Sequence, residues 1–338
     1  MDFHNQHLDS IQALRGITAL FIILEHIRCF QCGAFGVDIF FCISGFIMMY
    51  STHTSAEHFL AKRLIRILPL YYSMTLFTFL ILLVMPQLFE TSTANPVFLL
   101  KSLLFIPFDI GGGILQPLMR IGWTVNCEIF FYLVFFAALK CSRKYRGPIA
   151  SGLIIGLVVF NQLSGIRFAP LNFYGDAVML DFVWGMTAYC LARRIYTLSA
   201  KGKVPAAVSY ASLALAAVLF TGLMVTKQTT NILELRRPFV WGLPALFIVL
   251  CFYTAGLHIP MRKEFITLGN ISFSVYLMHY YPILFLDRKI FDFSTFRPLC
   301  LLGTAVGIAI TVTLSLISYY VIEKAFCGWL RKKIIKNC

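Results

Sequence analysis

Apolar stretches long enough to cross a lipid bilayer recur along the whole chain, and they decide what it can fold into. Of its 338 residues, 59% are hydrophobic and only 13% are charged. A helix of about twenty apolar residues spans the hydrocarbon core of a bilayer. We therefore predict an all-α integral membrane protein, with one domain over residues 1–338 and no fused extracytoplasmic domain. The ten predicted spans cover residues 11–27, 34–51, 69–86, 121–139, 148–164, 173–192, 204–226, 238–257, 269–287 and 298–321.

The distribution of positive charge predicts how these spans are oriented. The formal net charge is +14, which taken alone would be compatible with a nucleic-acid-binding protein. Most of the Lys and Arg residues, however, fall in loops on the same side as the N-terminus, and positive loops stay in the cytoplasm. We therefore predict cytoplasmic termini in a bacterial inner membrane, with membrane lipid as a partner and no nucleic-acid partner.

Two shorter segments on the outer side carry separate predictions. Val97–Phe108 is apolar but too short to cross easily, and three glycines follow it at 111–113, so we predict a short interfacial or re-entrant helix between spans three and four. Cys29 and Cys32 form one C-x-x-C pair after span one, where a disulfide is one reading. No second pair or histidine spacing supports a zinc site, so no metal is predicted.

Arg15 and His26 lie eleven residues apart within the first span. At 100° per residue the two side chains project from nearly one helix face, about 16 Å apart along the axis. Charged and titratable residues inside a membrane helix are costly and often mark a functional path. The alternative is that Arg15 and His26 simply reach the two membrane surfaces.

Arg63 and Arg66 share a face just before span three, on the side where Arg15 lies. Guanidinium groups suit phosphate recognition because they offer paired donors. The alternative is an anchor that touches anionic lipid. Convergence of three arginines on one mouth favours a specific polyanionic ligand.

Three further stretches place polar residues near the outer ends of spans. Asp38 begins span two at a depth similar to His26. Asn126 and Glu128 begin span four behind Trp123, where a carboxylate can orient an imidazole; Trp123 also reads as an ordinary interfacial aromatic. His279 lies near mid-membrane in span nine, as a structural histidine or a second polar group of the site.

These stretches, in this order, resemble the membrane-bound acyltransferase 3 family, and closest to them is its exopolysaccharide O-acetyltransferase branch. The resemblance covers essentially the whole chain. One departure is Glu25, where the family pattern often has an aliphatic residue. The matching blocks are Arg15 through His26, Gly36–Phe46, Arg63 with Arg66, Trp123–Glu128, Ile271–His279 (which includes Tyr276) and Ile322–Lys324.

The resemblance implies transfer of an acyl group, usually acetyl, from cytoplasmic acyl-CoA to a hydroxyl of an extracytoplasmic or lipid-linked glycan. Acetyl-CoA would be a cosubstrate. His26 is then the catalytic residue, as general base or as transient acyl carrier. We expect Glu128 to orient it and Asn126 to stabilise the oxyanion. The remaining expectations are phosphate binding by Arg15, Arg63 and Arg66, and substrate-binding or supporting roles for Asp38, Trp123, Tyr276 and His279.

Two other classes of function remain open from the residues. A proton-coupled transporter or flippase of a glycan or lipid precursor also uses intramembrane Arg, His and Glu. The lack of an apparent internal repeat favours the enzyme. A structural subunit of the polysaccharide synthesis machinery is the third option, and in it Arg15 and His26 would be dispensable.

Overall fold

The computed structural model describes residues 8–89, 93–229, 236–294 and 296–335, and within these ranges the chain folds into helices without a β-strand. A π-helical turn (Pro238–Gly242) precedes the helix Leu243–Ala255, and another (Tyr319–Phe326) joins the helix Pro298–Ser318 to the helix Cys327–Ile335. The helices are α1 (Asp9–Glu25), α2 (Gly36–Thr54), α3 (Phe59–Val84), α4 (Pro96–Leu103), α5 (Trp123–Cys141), α6 (Arg146–Ser164), α7 (Ala169–Tyr174), α8 (Leu180–Ala200), α9 (Ala206–Thr229), α10 (Leu243–Ala255), α11 (Lys263–Asn270), α12 (Ser272–Met278), α13 (Tyr280–Lys289), α14 (Pro298–Ser318) and α15 (Cys327–Ile335).

Six helices in the described part of the chain are long and apolar enough to cross a membrane. They correspond to predicted spans three, four, five, seven, eight and ten, so a helical membrane protein is confirmed while the count of ten spans stays a prediction. The six are Phe59–Val84, Arg120–Cys141, Arg146–Ser164, Ala206–Thr226, Pro238–Ala255 and Pro298–Ile335.

The other four predicted spans correspond to helices that are shorter, more polar or interrupted. α1 has only 17 residues and contains Arg15, and α2 contains the fully buried Asp38. Predicted span nine is broken into α11, α12 and α13, with the last break at His279. These helices contribute several buried polar side chains, among them Asp38 and His279. Charged groups inside a membrane protein face the interior of the bundle rather than lipid.

Glycines allow the interior helices to approach closely. Gly45 of α2 lies against the carbonyl oxygen of Phe182, and Gly185 of α8 lies against that of Cys42, so a Cβ at either position would overlap backbone atoms. Small residues at helix crossings are the usual means of close packing in membrane proteins. The α2–α8 pair therefore fixes the wall of the bundle behind Ser44 and Asp38.

A short helix is present where the sequence predicts one between spans three and four. Asn95 caps α4 by accepting a hydrogen bond from the Val97 amide (2.8 Å), and Pro96 occupies the first turn, where its missing N–H costs nothing. Leu100 and Leu104 are exposed, whereas Ser102 is buried. An interfacial or re-entrant position for α4 stays a prediction.

Cys29 is bonded to Cys300 at the start of α14, and not to Cys32, the partner that the C-x-x-C spacing suggested. The Cys32 side chain is turned into the interior, where it is only 4% exposed. Beside this bond, the Arg28 guanidinium pairs with Asp287 at 2.9 Å. The segment after α1 is thereby joined to the end of α13 and to the start of α14.

The close helix crossing yields a stability prediction. Replacing Gly185→Ala puts a methyl group into the Cys42 carbonyl, and overpacking of this kind costs about 2 kcal/mol. We expect a lower melting temperature of the detergent-solubilised protein. Gly152→Ala is the matched control, since a Cβ at Gly152 meets nothing within 4 Å. Equal melting temperatures for the two variants would contradict the packing described here.

Candidate functional site

One cavity of about 380 Å³ runs through the interior of the bundle between α1, α2, α3, α5 and α12. Along α2 its lining extends from Val37 to Tyr50, which corresponds to about 20 Å of helix. We call the end near the starts of α1 and α3 the basic end, and the opposite end, where α1 stops, the histidine end. Five of the predicted site residues line the cavity: Arg15, Arg63, Arg66, Glu128 and Tyr276.

The three predicted arginines converge at the basic end, on two different helices. Arg63 and Arg66 are one turn apart near the start of α3, and Arg63 donates to Ser51 Oγ at 2.9 Å while lying over the rings of Phe59 and Tyr132. Arg15 of α1 donates to Gln12 Oε1 at 3.0 Å. Arg66 is close enough for its charge to interact with that of Arg15 and that of Arg63.

Glu128 lies on the same wall as these arginines. Its Oε1 accepts hydrogen bonds from Tyr132 and from Ser44 Oγ, the latter at 3.2 Å. Its charge interacts with those of Arg15 and Arg63. The structure thus places Glu128 as a counter-ion within the arginine cluster, and its predicted action on the His26 imidazole stays a prediction.

Glu323 is a second carboxylate near the arginines, and the sequence predicted no role for it beyond its motif. It accepts a hydrogen bond from Ser274 Oγ (2.5 Å) and interacts electrostatically with Arg66 and Arg15. Its backbone belongs to the π-helical turn between α14 and α15, and π-bulges are frequent at functional sites. The matching blocks Ile271–His279 and Ile322–Lys324 therefore meet at this carboxylate.

His26 and His279 are in direct contact at the histidine end. His279 Nε2 lies 3.1 Å from His26 Nδ1, and the ring centroids are 4.6 Å apart. His279 is fully buried at the break between α12 and α13, and its Nδ1 lies 2.7 Å from the Tyr276 carbonyl oxygen. The proximity of the two imidazoles joins α1 to α12 at the level where α1 ends.

The hydrogen-bond partners define the tautomers when both rings are neutral. His279 Nδ1 faces carbonyl oxygens of Tyr276 and Val275, so it carries the proton and leaves the Nε2 lone pair as an acceptor. His26 Nδ1 faces that lone pair and the Ile22 carbonyl oxygen at 2.9 Å, so it must donate. The remaining lone pair of His26 is then on Nε2, the nitrogen that can accept a proton.

Glu25, the neighbour of His26, has a different task. Its Oε2 accepts hydrogen bonds from the backbone amides of Gly33 and Ala34, at 2.9 and 3.0 Å. These amides lie just before α2 starts, where backbone N–H groups lack helical partners. The carboxylate that departs from the family pattern thus holds the turn from α1 to α2.

Tyr276 connects the cavity to the histidine pair. Its hydroxyl donates to the Ile121 carbonyl oxygen (3.0 Å) and accepts from Thr124 Oγ1 (2.8 Å), which fixes α12 against the start of α5. His279 follows one turn later on the same face. The imidazole pair is therefore one helical turn beyond the end of the cavity.

Asn126 and Trp123 support the start of α5. Asn126 is fully buried, its Oδ1 accepts from the Tyr71 hydroxyl at 3.4 Å, and its Nδ2 makes no hydrogen bond within the described residues. The Trp123 ring is edge-on to Phe41, with centroids 6.2 Å apart. Neither residue lines the cavity, so their predicted roles stay predictions, and the unsatisfied Nδ2 is compatible with an oxyanion donor.

Asp38 is held in a buried ion pair that the sequence did not indicate. Arg237 donates to both carboxylate oxygens, Nε to Oδ1 and Nη2 to Oδ2, each at 3.0 Å. Its guanidinium also lies 5.1 Å from the centre of the Trp241 ring. The pair joins α2 to the segment before α10, 199 residues away along the chain. Asp38 thus supports the bundle at the histidine end.

Among the described residues, no group of three His, Cys, Asp or Glu side chains is placed to hold a metal ion. The chemical resources of the site are an imidazole pair, a cationic cavity and two carboxylates. This set supports acid–base chemistry at the imidazole pair, on a ligand whose anionic groups bind the arginines at the opposite end of the cavity.

Comparison with known proteins identifies the family. The family model described as an acyltransferase domain, of the acyltransferase 3 type, matches residues 8–320. The chain belongs to the acyltransferase 3 family. The chain is 34% identical to the exopolysaccharide production protein ExoZ of Rhizobium meliloti (strain 1021), and the match covers 75% of this chain and 78% of that protein.

A second relative comes from a virus. The protein ORF330 of Acidianus two-tailed virus, whose name describes it provisionally as an acetyltransferase, is 25% identical over 80% of this chain and 81% of its own length. No solved structure gives a significant match. The family and the name of the viral relative agree with an enzyme that transfers acyl groups.

The Asp38–Arg237 pair gives a prediction for stability. Asp38→Ala leaves the Arg237 guanidinium beside an apolar methyl group, and removing one partner of a buried pair costs about 3 kcal/mol. We expect a clear fall in the melting temperature of the purified protein. Asp292→Ala serves as the control, because that carboxylate is 66% exposed and lies 3.6 Å from Arg28. A melting temperature for Asp38→Ala as high as that of the control would refute a stabilising role.

Proposed function

We propose that this acyltransferase moves an acetyl group from cytoplasmic acetyl-CoA to a hydroxyl of an extracytoplasmic or lipid-linked glycan, of the exopolysaccharide type. The observation that carries the proposal is a continuous cavity that runs from the arginine cluster to within one helical turn of the His26–His279 pair. The name of the relative ExoZ supports an exopolysaccharide as the acceptor.

The charge pattern supports the orientation. The basic end faces the cytoplasm, where acyl-CoA is made, and both termini lie on that side. The histidine end, with the Cys29–Cys300 bond, faces the oxidising outer side, where disulfides persist. Donor and acceptor then approach the bundle from opposite faces.

The donor lies along the cavity with its phosphates at the basic end. Arg15, Arg63 and Arg66 supply charge-assisted hydrogen bonds to the phosphates, and Glu128 keeps these guanidiniums in place before the donor arrives. The apolar lining toward Val37 and Phe40 suits the uncharged pantetheine arm. The thioester then lies beyond Tyr276, close to His26.

His26 acts as the general base. Its Nε2 takes the proton of the acceptor hydroxyl while the hydroxyl oxygen attacks the thioester carbon. The attack forms the C–O bond and gives a tetrahedral oxyanion. Its collapse breaks the C–S bond, and the imidazolium gives its proton to the departing thiolate. His279 accepts the hydrogen bond from His26 Nδ1 throughout, so it holds the ring and stabilises the imidazolium. Asn126 is the proposed oxyanion donor.

The first test of the proposal removes the base. His26→Ala should reduce acetyl transfer by about 1000-fold, as expected for loss of general base catalysis, while binding of CoA to the purified protein remains. Transfer is measured as thiol release from acetyl-CoA and as acetylation of the surface glycan by mass spectrometry. His258→Ala is the matched control, since His258 bonds to Ser209 away from the cavity. Full glycan acetylation by the His26→Ala variant would contradict the proposal. Absence of acetyl transfer by the wild-type protein would favour a transporter.

The second test concerns the positioning of His26. His279→Ala removes the acceptor that orients the imidazole, and loss of an orienting partner costs about 10- to 100-fold in rate. We expect kcat to fall by about that factor with KM for acetyl-CoA unchanged. His279→Gln should restore part of the rate, because an amide oxygen can accept the same hydrogen bond. A purely packing role for His279 predicts instead that Ala and Gln variants lose activity together with stability.

A further inference from the structure

The arginine cluster of the cavity continues onto the C-terminal helix. The charges of Arg15 and Arg66 interact, those of Arg66 and Arg63 interact, and Arg63 interacts in turn with Arg331 of α15. Four guanidiniums from three parts of the chain are thus close enough for their charges to interact in successive pairs, and we call them the arginine row. The sequence alone indicated no role for Arg331 beyond the excess of positive charge on the side of the N-terminus.

Helix geometry places Arg331 at the far end of this row. Pro298–Ile335 is one continuous helix, and Glu323 within it lies at the level of Arg15 and Arg66. Arg331 follows Glu323 by eight residues, which is about 12 Å further along the axis, away from the histidine end. The row therefore leads out of the cavity in the direction opposite to His26.

Packing of α15 turns Arg331 toward the mouth of the cavity. α15 contacts α3, the helix that contains Arg63 and Arg66. Cys327 is buried, at 2% exposure, and Arg331 lies one turn later on the same face. Arg331 itself is exposed. Its guanidinium is accessible to a ligand and still adjacent to the arginines of the site.

The charged side chains that line the cavity do not neutralise one another. The lining contains three arginines and one glutamate. Like charges held this close repel one another, so the row favours a ligand with several negative groups. An additional cation at the mouth is unfavourable for the empty protein and favourable once a polyanion binds.

The proposed donor carries its charges in a fixed order. Starting from the thioester, coenzyme A consists of the pantetheine arm, a diphosphate, and a ribose with a separate 3′-phosphate. With the thioester beside His26, the diphosphate meets the inner arginines first. The 3′-phosphate is the last anionic group along this path.

We propose that Arg331 is a further donor-binding residue, which binds the 3′-phosphate of coenzyme A at the mouth of the cavity. This inference rests on the proposed function, because it assumes that acyl-CoA occupies the cavity. It makes the C-terminal helix part of the donor site and predicts that the enzyme distinguishes CoA from 3′-dephospho-CoA.

The test measures binding of CoA and of 3′-dephospho-CoA to purified full-length variants by calorimetry, in detergent free of anionic lipid. Arg331→Ala should weaken CoA binding about tenfold, as for loss of one charge-assisted bond, and leave 3′-dephospho-CoA binding unchanged. Arg66→Ala should weaken binding of both ligands. Lys333→Ala is the matched control, because Lys333 lies over the Trp329 ring, on the other side of α15.

The outcomes distinguish a failure of the proposed function from a failure of the proposal for Arg331. If wild-type protein binds neither nucleotide, the proposed function is wrong. If wild-type protein binds CoA and Arg331→Ala binds it equally well, the proposal for Arg331 is overturned, and the residue then binds lipid phosphate or none. If Arg331→Ala loses affinity for both nucleotides equally, the assignment to the 3′-phosphate is wrong. Melting temperatures of all variants verify that α15 stays folded.

Discussion

The structure depends on how guanidinium groups are held inside a bundle of apolar helices. An unpaired charge in such an interior costs far more than any single packing contact supplies. Arg15 is held within reach of Glu128 and Glu323, which come from α5 and from the π-helical turn after α14. At the histidine end, Asp38 and Arg237 neutralise each other in a bidentate ion pair. These contacts tie together helices that are distant in sequence.

This constraint explains why the helices differ in kind. α3, α6 and α9 expose many apolar side chains and are long enough to span a membrane, whereas α1, α2 and α8 carry polar groups and pack inside. Gly45 and Gly185 let two of the interior helices touch backbone to backbone, which leaves the cavity on the other side of α2. The cavity is therefore lined by α1 and α2 together with α3, α5 and α12, and α6 and α9 lie outside its lining.

The sequence predicted the helices and the arginine convergence well, because both depend on local patterns. Periodic hydrophobicity marks a helix, and positive loops place Arg15, Arg63 and Arg66 at one end. Contacts between distant segments could not be predicted. His26 and His279 are 253 residues apart, and they meet where predicted span nine is broken between α12 and α13. Tertiary packing likewise put Glu128 among the arginines, since spacing along α5 sets its depth but not the helices it faces.

Under the proposed function, the order of groups along the cavity separates donor binding from chemistry. Arginines and carboxylates occupy the basic end, the apolar lining follows, and the imidazole pair lies about 16 Å from Arg15 along α1. Electrostatic attraction to phosphates falls with distance, so the basic end contributes affinity for the donor while the proton transfer takes place at His26. The hydrogen bond from His26 to His279 acts only at the reacting end. Substitutions at the two ends should consequently affect KM and kcat separately, which a transporter with one central binding site would not show.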